Sequence, residues 1–146
     1  GVSEGLIFKH FSSKEGLLDA LIEQGVANMS KNIEPYLDEK EPKKLLSNAL
    51  DFVSLIYQTD ITSWRLQMSL KYQSPEIAQK YHDQDIFKRV DIALEKAFRE
   101  LGYENPKAET RLFNMITKSL MSDFIGADKI EIEAFIKFTK EKYNLL

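Results

Sequence analysis

Four prolines, at positions 35, 42, 75 and 106, divide the chain into stretches whose apolar residues recur three and four apart. Proline lacks a backbone donor and is tolerated at helix starts and in turns, so these positions read as punctuation between helices. Leu17, Leu18, Leu21, Ile22 and Met29 give an apolar stripe from Lys14 to about Asn32; Gly25 interrupts it and predicts a bend or an early end. Pro35 to Pro42 reads as a solvated loop. Leu45, Leu46, Ala49, Leu50, Phe52, Val53 and Ile56 predict a broadly buried helix over 43–58, followed by a shorter one over 61–73. Ser74-Pro75-Glu76 starts a helix expected to run unbroken to Leu101, with Phe87, Val90, Leu94, Ala97 and Leu101 as its seam and Gly102 as its stop. Asn105-Pro106 starts the next, to about Ile125 before Gly126, and Asp128 caps a last helix to about Tyr143. With no strand pattern and no internal repeat, the expected fold class is all-α.

Composition excludes several function classes. At 146 residues the chain is long enough for a real core, and 43% hydrophobic with 29% charged residues is a globular balance. The net charge of −3 argues against a general nucleic-acid surface over the body of the chain. There is no cysteine, hence no disulfide, thiolate metal site or cysteine nucleophile. No apolar run approaches the roughly 18 residues of a membrane span, so no membrane partner and a cytoplasmic location are expected.

The stretch Gly1–Leu21, GVSEGLIFKHFSSKEGLLDAL, reads as a short helix, a tight turn and the start of a longer helix. Ser3 can cap the first helix, and Ser12 with Glu15 has the capping-box spacing for the second. Gly1, Val2, Ser3, Gly5, Ile7, His10, Phe11, Lys14, Glu15 and Leu17 resemble, at matching spacings, the end of the DNA-binding domain of TetR/AcrR-type transcriptional regulators. The match covers the first fifth of the chain. Phe8 stands where that family most often has tyrosine, Leu6 where a small hydroxylated residue is common, and Glu4 where a basic one is common.

The resemblance implies a remnant of a helix-turn-helix domain over residues 1–32, followed by a helical effector-binding and dimerisation bundle over 33–146. Ser3, Glu4, Leu6, Phe8, Lys9, His10 and Lys14 would then be the DNA-binding residues, with Lys9, His10 and Lys14 nearest the phosphates. The two helices that should precede a recognition helix do not stand before Gly1. Binding to palindromic operator DNA is therefore expected to need them. The function implied is transcriptional regulation, in the repressing mode usual for the family, relieved by a small apolar or aromatic effector. The other reading is a helical dimerisation or scaffold module without DNA binding.

Catalytic signals are sparse. His82 and Asp85 share a helix face, but His10 is the chain's only other histidine, and a solvated surface is the simpler account. Asp123 is a lone acid in an apolar helix, within reach of Ser119 or Ser122. No G-x-S-x-G, phosphate loop or H-E-x-x-H occurs, so neither an enzyme, a metal nor a cofactor is expected. Trp64, Met68 and Tyr72 lie four apart on one face, either as a core stripe or as a pocket wall. On the second reading His82 and Phe113 join them around an effector, and Arg65 is the candidate partner for a carboxylate. The last two helices carry more apolar surface than a chain end should leave in water. Either these helices are simply core, or, as the resemblance implies, Leu112, Ile116, Leu120, Phe124, Ile132, Phe135 and Ile136 pair with a second copy in a homodimer.

Overall fold

The computed structural model describes Gly5, Phe11, residues 13–122 and residues 128–146. Among these, every regular element is an α-helix: α1 Lys14–Leu37, α2 Pro42–Thr59, α3 Ile61–Lys71, α4 Pro75–His82, α5 Asp85–Glu100, α6 Pro106–Ser122 and α7 Lys129–Lys142. Ser3, Glu4, Leu6, Phe8, Lys9 and His10 lie outside the described residues, as do the expected Ser12 cap, Asp123, Phe124 and Gly126. The cap of α1 is Ser13, one residue later than expected, whose hydroxyl accepts from the Gly16 amide at 3.0 Å.

α1 does not bend or end at Gly25; it continues through Gly25 and through Pro35 to Leu37. Pro35 stands in the last turn, where a missing donor removes a single helical hydrogen bond. Tyr36 and Leu37 beyond it pack against the two apolar clusters of the core, and that burial carries the helix onward. Gly25 has a different task from the one its sequence context suggested. A Cβ there would fall 2.0 Å from the Gln67 side chain of α3. Glycine leaves room for the Gln67 side chain to lie against α1.

α2 is the centre of the molecule. The Glu41 carboxylate accepts from the Lys43 and Lys44 amides at its start, at 3.0 and 2.8 Å. Leu46, Leu50 and Val53 have no exposed surface, and Leu45, Phe52 and Ile56 are buried beside them. Apolar residues around so much of the helix require neighbours on most sides, and α1, α3, α5, α6 and α7 all contact it.

The long helix expected from Pro75 to Leu101 is broken. Asp83 ends α4, Gln84 takes an extended conformation (φ −66°, ψ 132°), and α5 begins at Asp85. The Gln84 amide reaches back to the Lys80 carbonyl at 2.9 Å, capping α4. The break lets Tyr81 and Ile86 pack against Ile22 and Val26 of α1, while Leu94, Ala97 and Phe98 face the main core. One straight helix would not satisfy both. At the far end of α5, Gly102 has φ +80°, its amide bonds to Arg99 and the Tyr103 amide to Phe98. This is the doubly bonded left-handed stop that the glycine predicted.

Phe98, Tyr103, Phe113 and Tyr143 form an aromatic cluster, with ring centroids 5.1–6.4 Å apart. The Tyr143 hydroxyl lies 3.4 Å from a Glu109 carboxylate oxygen. Asp128 caps α7 through the Glu131 amide, as expected, and Lys140 ties α7 to Asp51 of α2 at 2.6 Å.

Two predictions follow from this packing. Gln67 is buried and doubly hydrogen-bonded, so Gly25→Ala must displace it and leave its partners unpaired, costing about 1–3 kcal/mol. In a Gln67→Ala background the same change is expected to cost nothing and to gain up to about 1 kcal/mol of helix propensity. Urea unfolding followed at 222 nm measures both.

Burial, then the Glu109 charge, pushes the Tyr143 phenol up to about 12 from an ordinary 10.0. The fold thus favours the neutral phenol. That stabilisation is complete below pH 10 and is lost as pH rises through about 12. Urea midpoints are expected to fall between pH 10 and pH 12, and to fall less in Tyr143→Phe.

Candidate functional site

Where α1, α2, α3, α5 and α6 converge they leave a cavity of about 210 Å³. Met29, Ile33 and Tyr36 of α1 form one wall, and Leu45, Ala49 and Phe52 of α2 the floor. Trp64 and Met68 of α3, Tyr81 of α4, Phe87 and Leu94 of α5, and Phe113 and Met121 of α6 complete the apolar lining. A concave, mostly apolar and aromatic chamber with a few polar groups is the usual form of a small-molecule site.

The sequence stripe lands on this chamber. Trp64, Met68, Tyr72, His82 and Phe113 all line it; Arg65 does not. Arg65 follows Trp64 by about 100° around the helix, which turns it away from the wall and into solvent. Trp64 serves as core and wall at once. Its side chain is buried in the main cluster, and its indole N–H donates to the Met121 carbonyl at 3.2 Å. Tyr72 and His82 are exposed and stand at the rim.

The sequence reading missed Lys71, the last residue of α3, and Lys118 of α6, both on the lining. The signal was present: Trp64, Met68 and Lys71 follow the i, i+4, i+7 spacing of one helix face. Burial, and next the nearby Lys118 charge, holds the Lys71 ammonium below its ordinary value. Neither lysine makes an ion pair among the described residues. Lys88 and Asp91 also line the chamber, and Asp91 accepts from the Asn114 amide at 2.7 Å.

A buried polar relay runs from the chamber wall to α1. The Tyr81 hydroxyl donates to Gln67 Oε1 at 2.6 Å, and Gln67 Nε2 donates to the Leu21 carbonyl at 3.1 Å. Lys80 pairs with Asp19, and Arg89 with Glu34 at 3.2 Å, so α4 and α5 also hold α1. Lys14, the one proposed DNA contact among the described residues, is exposed in the first turn of α1.

The expected pairing face is divided by the structure. Leu120, Ile132 and Ile136 are buried in the chain's own core, because α6 and one stripe of α7 pack onto α2. Two of them, Leu120 and Ile132, also line a groove between α6 and α7. Leu112 and Phe135 are exposed, Ile116 is half-buried, and Met115 and Phe138 join the exposed set. Met115, Ile116, Ser119 and Phe135 border an open groove between α6 and α7.

Among the described residues, no cluster of three or more His, Asp or Glu side chains is placed to hold a metal, and no helix is long and apolar enough to cross a membrane. No family model, curated protein or solved structure matches the chain.

The chamber predicts binding of an uncharged apolar probe. N-phenyl-1-naphthylamine is expected to brighten on binding at about one equivalent. Ala49→Phe, which fills the floor, should weaken that binding about tenfold or more while helical circular dichroism persists. Equal titrations of both proteins would show that the probe binds elsewhere.

Proposed function

We propose that the chain is the regulatory body of a TetR-like transcriptional regulator, in which a small effector in the interhelical chamber lowers affinity for operator DNA. The observation that carries this reading is the position of α1. α1, which on this reading begins within a DNA-reading motif, is also a wall of the chamber, through Met29, Ile33 and Tyr36. A ligand and an operator therefore act on the two ends of one rigid element.

The proposed coupling runs through the relay. Tyr81 faces the chamber and reaches α1 through Gln67, at the one point where Gly25 allows close approach. An effector that repositions Tyr81 shifts the grip on α1 and so the spacing of the reading heads. It regulates only if it binds the two arrangements unequally. In this reading Ser3, Glu4, Leu6, Phe8, Lys9, His10 and Lys14 contact DNA, and the protein binds rather than catalyses.

A two-fold partner belongs to the same proposal. The exposed Leu112, Met115, Phe135 and Phe138 side chains give α6 and α7 a face suited to pairing with a second copy. A helical dimerisation module without DNA binding would use this face too.

The experiment is selection of duplexes from a random DNA pool by the protein carrying its complete helix-turn-helix. Enrichment of a palindrome, with half-sites about one or more helical turns apart, is expected. Chamber ligands should lower its affinity about fivefold or more, a coupling of about 1 kcal/mol. No enrichment, with a dimer seen by light scattering, would favour the dimerisation module. A monomer at micromolar concentration would remove the two-fold pairing.

A further inference from the structure

The chamber's charge is lopsided. Among the described residues its lining holds three lysines, Lys71, Lys88 and Lys118, and one carboxylate, Asp91, which accepts a hydrogen bond from Asn114. Lys88 and Lys118 are exposed at the rim; Lys71 is only half-exposed and lies on the same face as the Trp64 and Met68 wall. The Lys71 ammonium lies 6.0 Å from the Tyr72 ring centroid and makes no ion pair among the described residues, and a cation so placed on an apolar wall suits an anion.

We propose that the chamber takes an anionic aromatic ligand, a carboxylate on one or two fused rings, with the rings against Trp64, Met68 and Phe113 and the carboxylate between Lys71 and Lys118. This rests on the reading of the chamber as a ligand site and specifies its chemistry. Arg65, the basic residue that the sequence suggested for this task, lies off the wall, and Lys71 takes its place.

The ligand-free state bears a cost that fits the assignment. Partial burial and the Lys118 charge both disfavour the Lys71 ammonium, and an incoming carboxylate relieves both at once. A methionine at position 71 would fill the same space without the charge. It is therefore expected to raise the thermal midpoint of the empty protein while removing the preference for anions. A lysine placed only for folding would give the opposite midpoint shift, because its loss would expose or unpair something.

The test compares 2-naphthoate with its uncharged counterpart 2-naphthalenemethanol by calorimetric titration. The wild type is expected to bind naphthoate about tenfold or more tightly than the alcohol, the yield of one desolvated charge-assisted contact. In Lys71→Met the ratio of the two dissociation constants should fall toward one, and Lys71→Arg should restore it. Equal binding of both compounds by the wild type would overturn the anion assignment and leave the chamber as a ligand site. A preference that Lys71→Met does not alter would also overturn it. Binding of neither compound, together with no binding of the uncharged naphthylamine probe, would overturn the chamber reading itself.

Discussion

The burial of α2 is the constraint on which the other helices depend. Leu46, Leu50 and Val53 leave no surface to water, and each such side chain contributes about 1.5–3 kcal/mol when it is covered. A helix covered on most sides cannot be housed in a two-layer arrangement. It needs a ring of neighbours, and the chain supplies α1, α3, α5, α6 and α7 in turn. Helices of finite length around one axis do not close perfectly at every level. The chamber is left where Ala49 and Phe52 of α2 and Phe87 and Phe113 of α5 and α6 line a common space.

That account separates what the sequence shows from what it conceals. Helix identity was legible nearly throughout, because periodicity, proline starts and glycine stops are local signals. The Gly102 stop and the Asn105 and Asp128 caps appear where local chemistry demands them. The failures share one cause: a distant residue decided the outcome. Gly25 looked like an interruption, yet it answers to Gln67, 42 residues along the chain. The break at Gln84 answers to two clusters facing different ways. Pro35 fails to stop α1 because Tyr36 and Leu37 have partners elsewhere.

The chamber lining follows the same rule. A stripe of Trp64, Met68 and Tyr72 states which residues share a face but not whether that face meets a packed neighbour or a void. The distinction between core and wall proved to be no distinction for Trp64, which is both. Lys71 was overlooked because a lysine at a helix end has a sufficient local explanation in the macrodipole. For α6 and α7, periodicity named apolar residues on all sides without revealing that Leu120, Ile132 and Ile136 were already spoken for by the chain's own core. The apolar surface left exposed on α6 and α7 includes Met115 and Phe135.

The double duty of Trp64 has a physical consequence for how the chamber and α1 are joined. If the chamber were lined by side chains that packed nothing else, a ligand would fill space and leave the helices where they were. Here the lining residues are also the contacts that set helix positions: Trp64 holds the end of α6 through the Met121 carbonyl, and Tyr81 holds α1 through Gln67. Close-packed interiors respond to an inserted group by moving between discrete arrangements, because there is little free volume in which to deform gradually. The residues that line the chamber are thus among those that place α1. The relay at Gly25 links the chamber wall to α1 through the buried Tyr81–Gln67 bond and the half-buried Gln67–Leu21 bond.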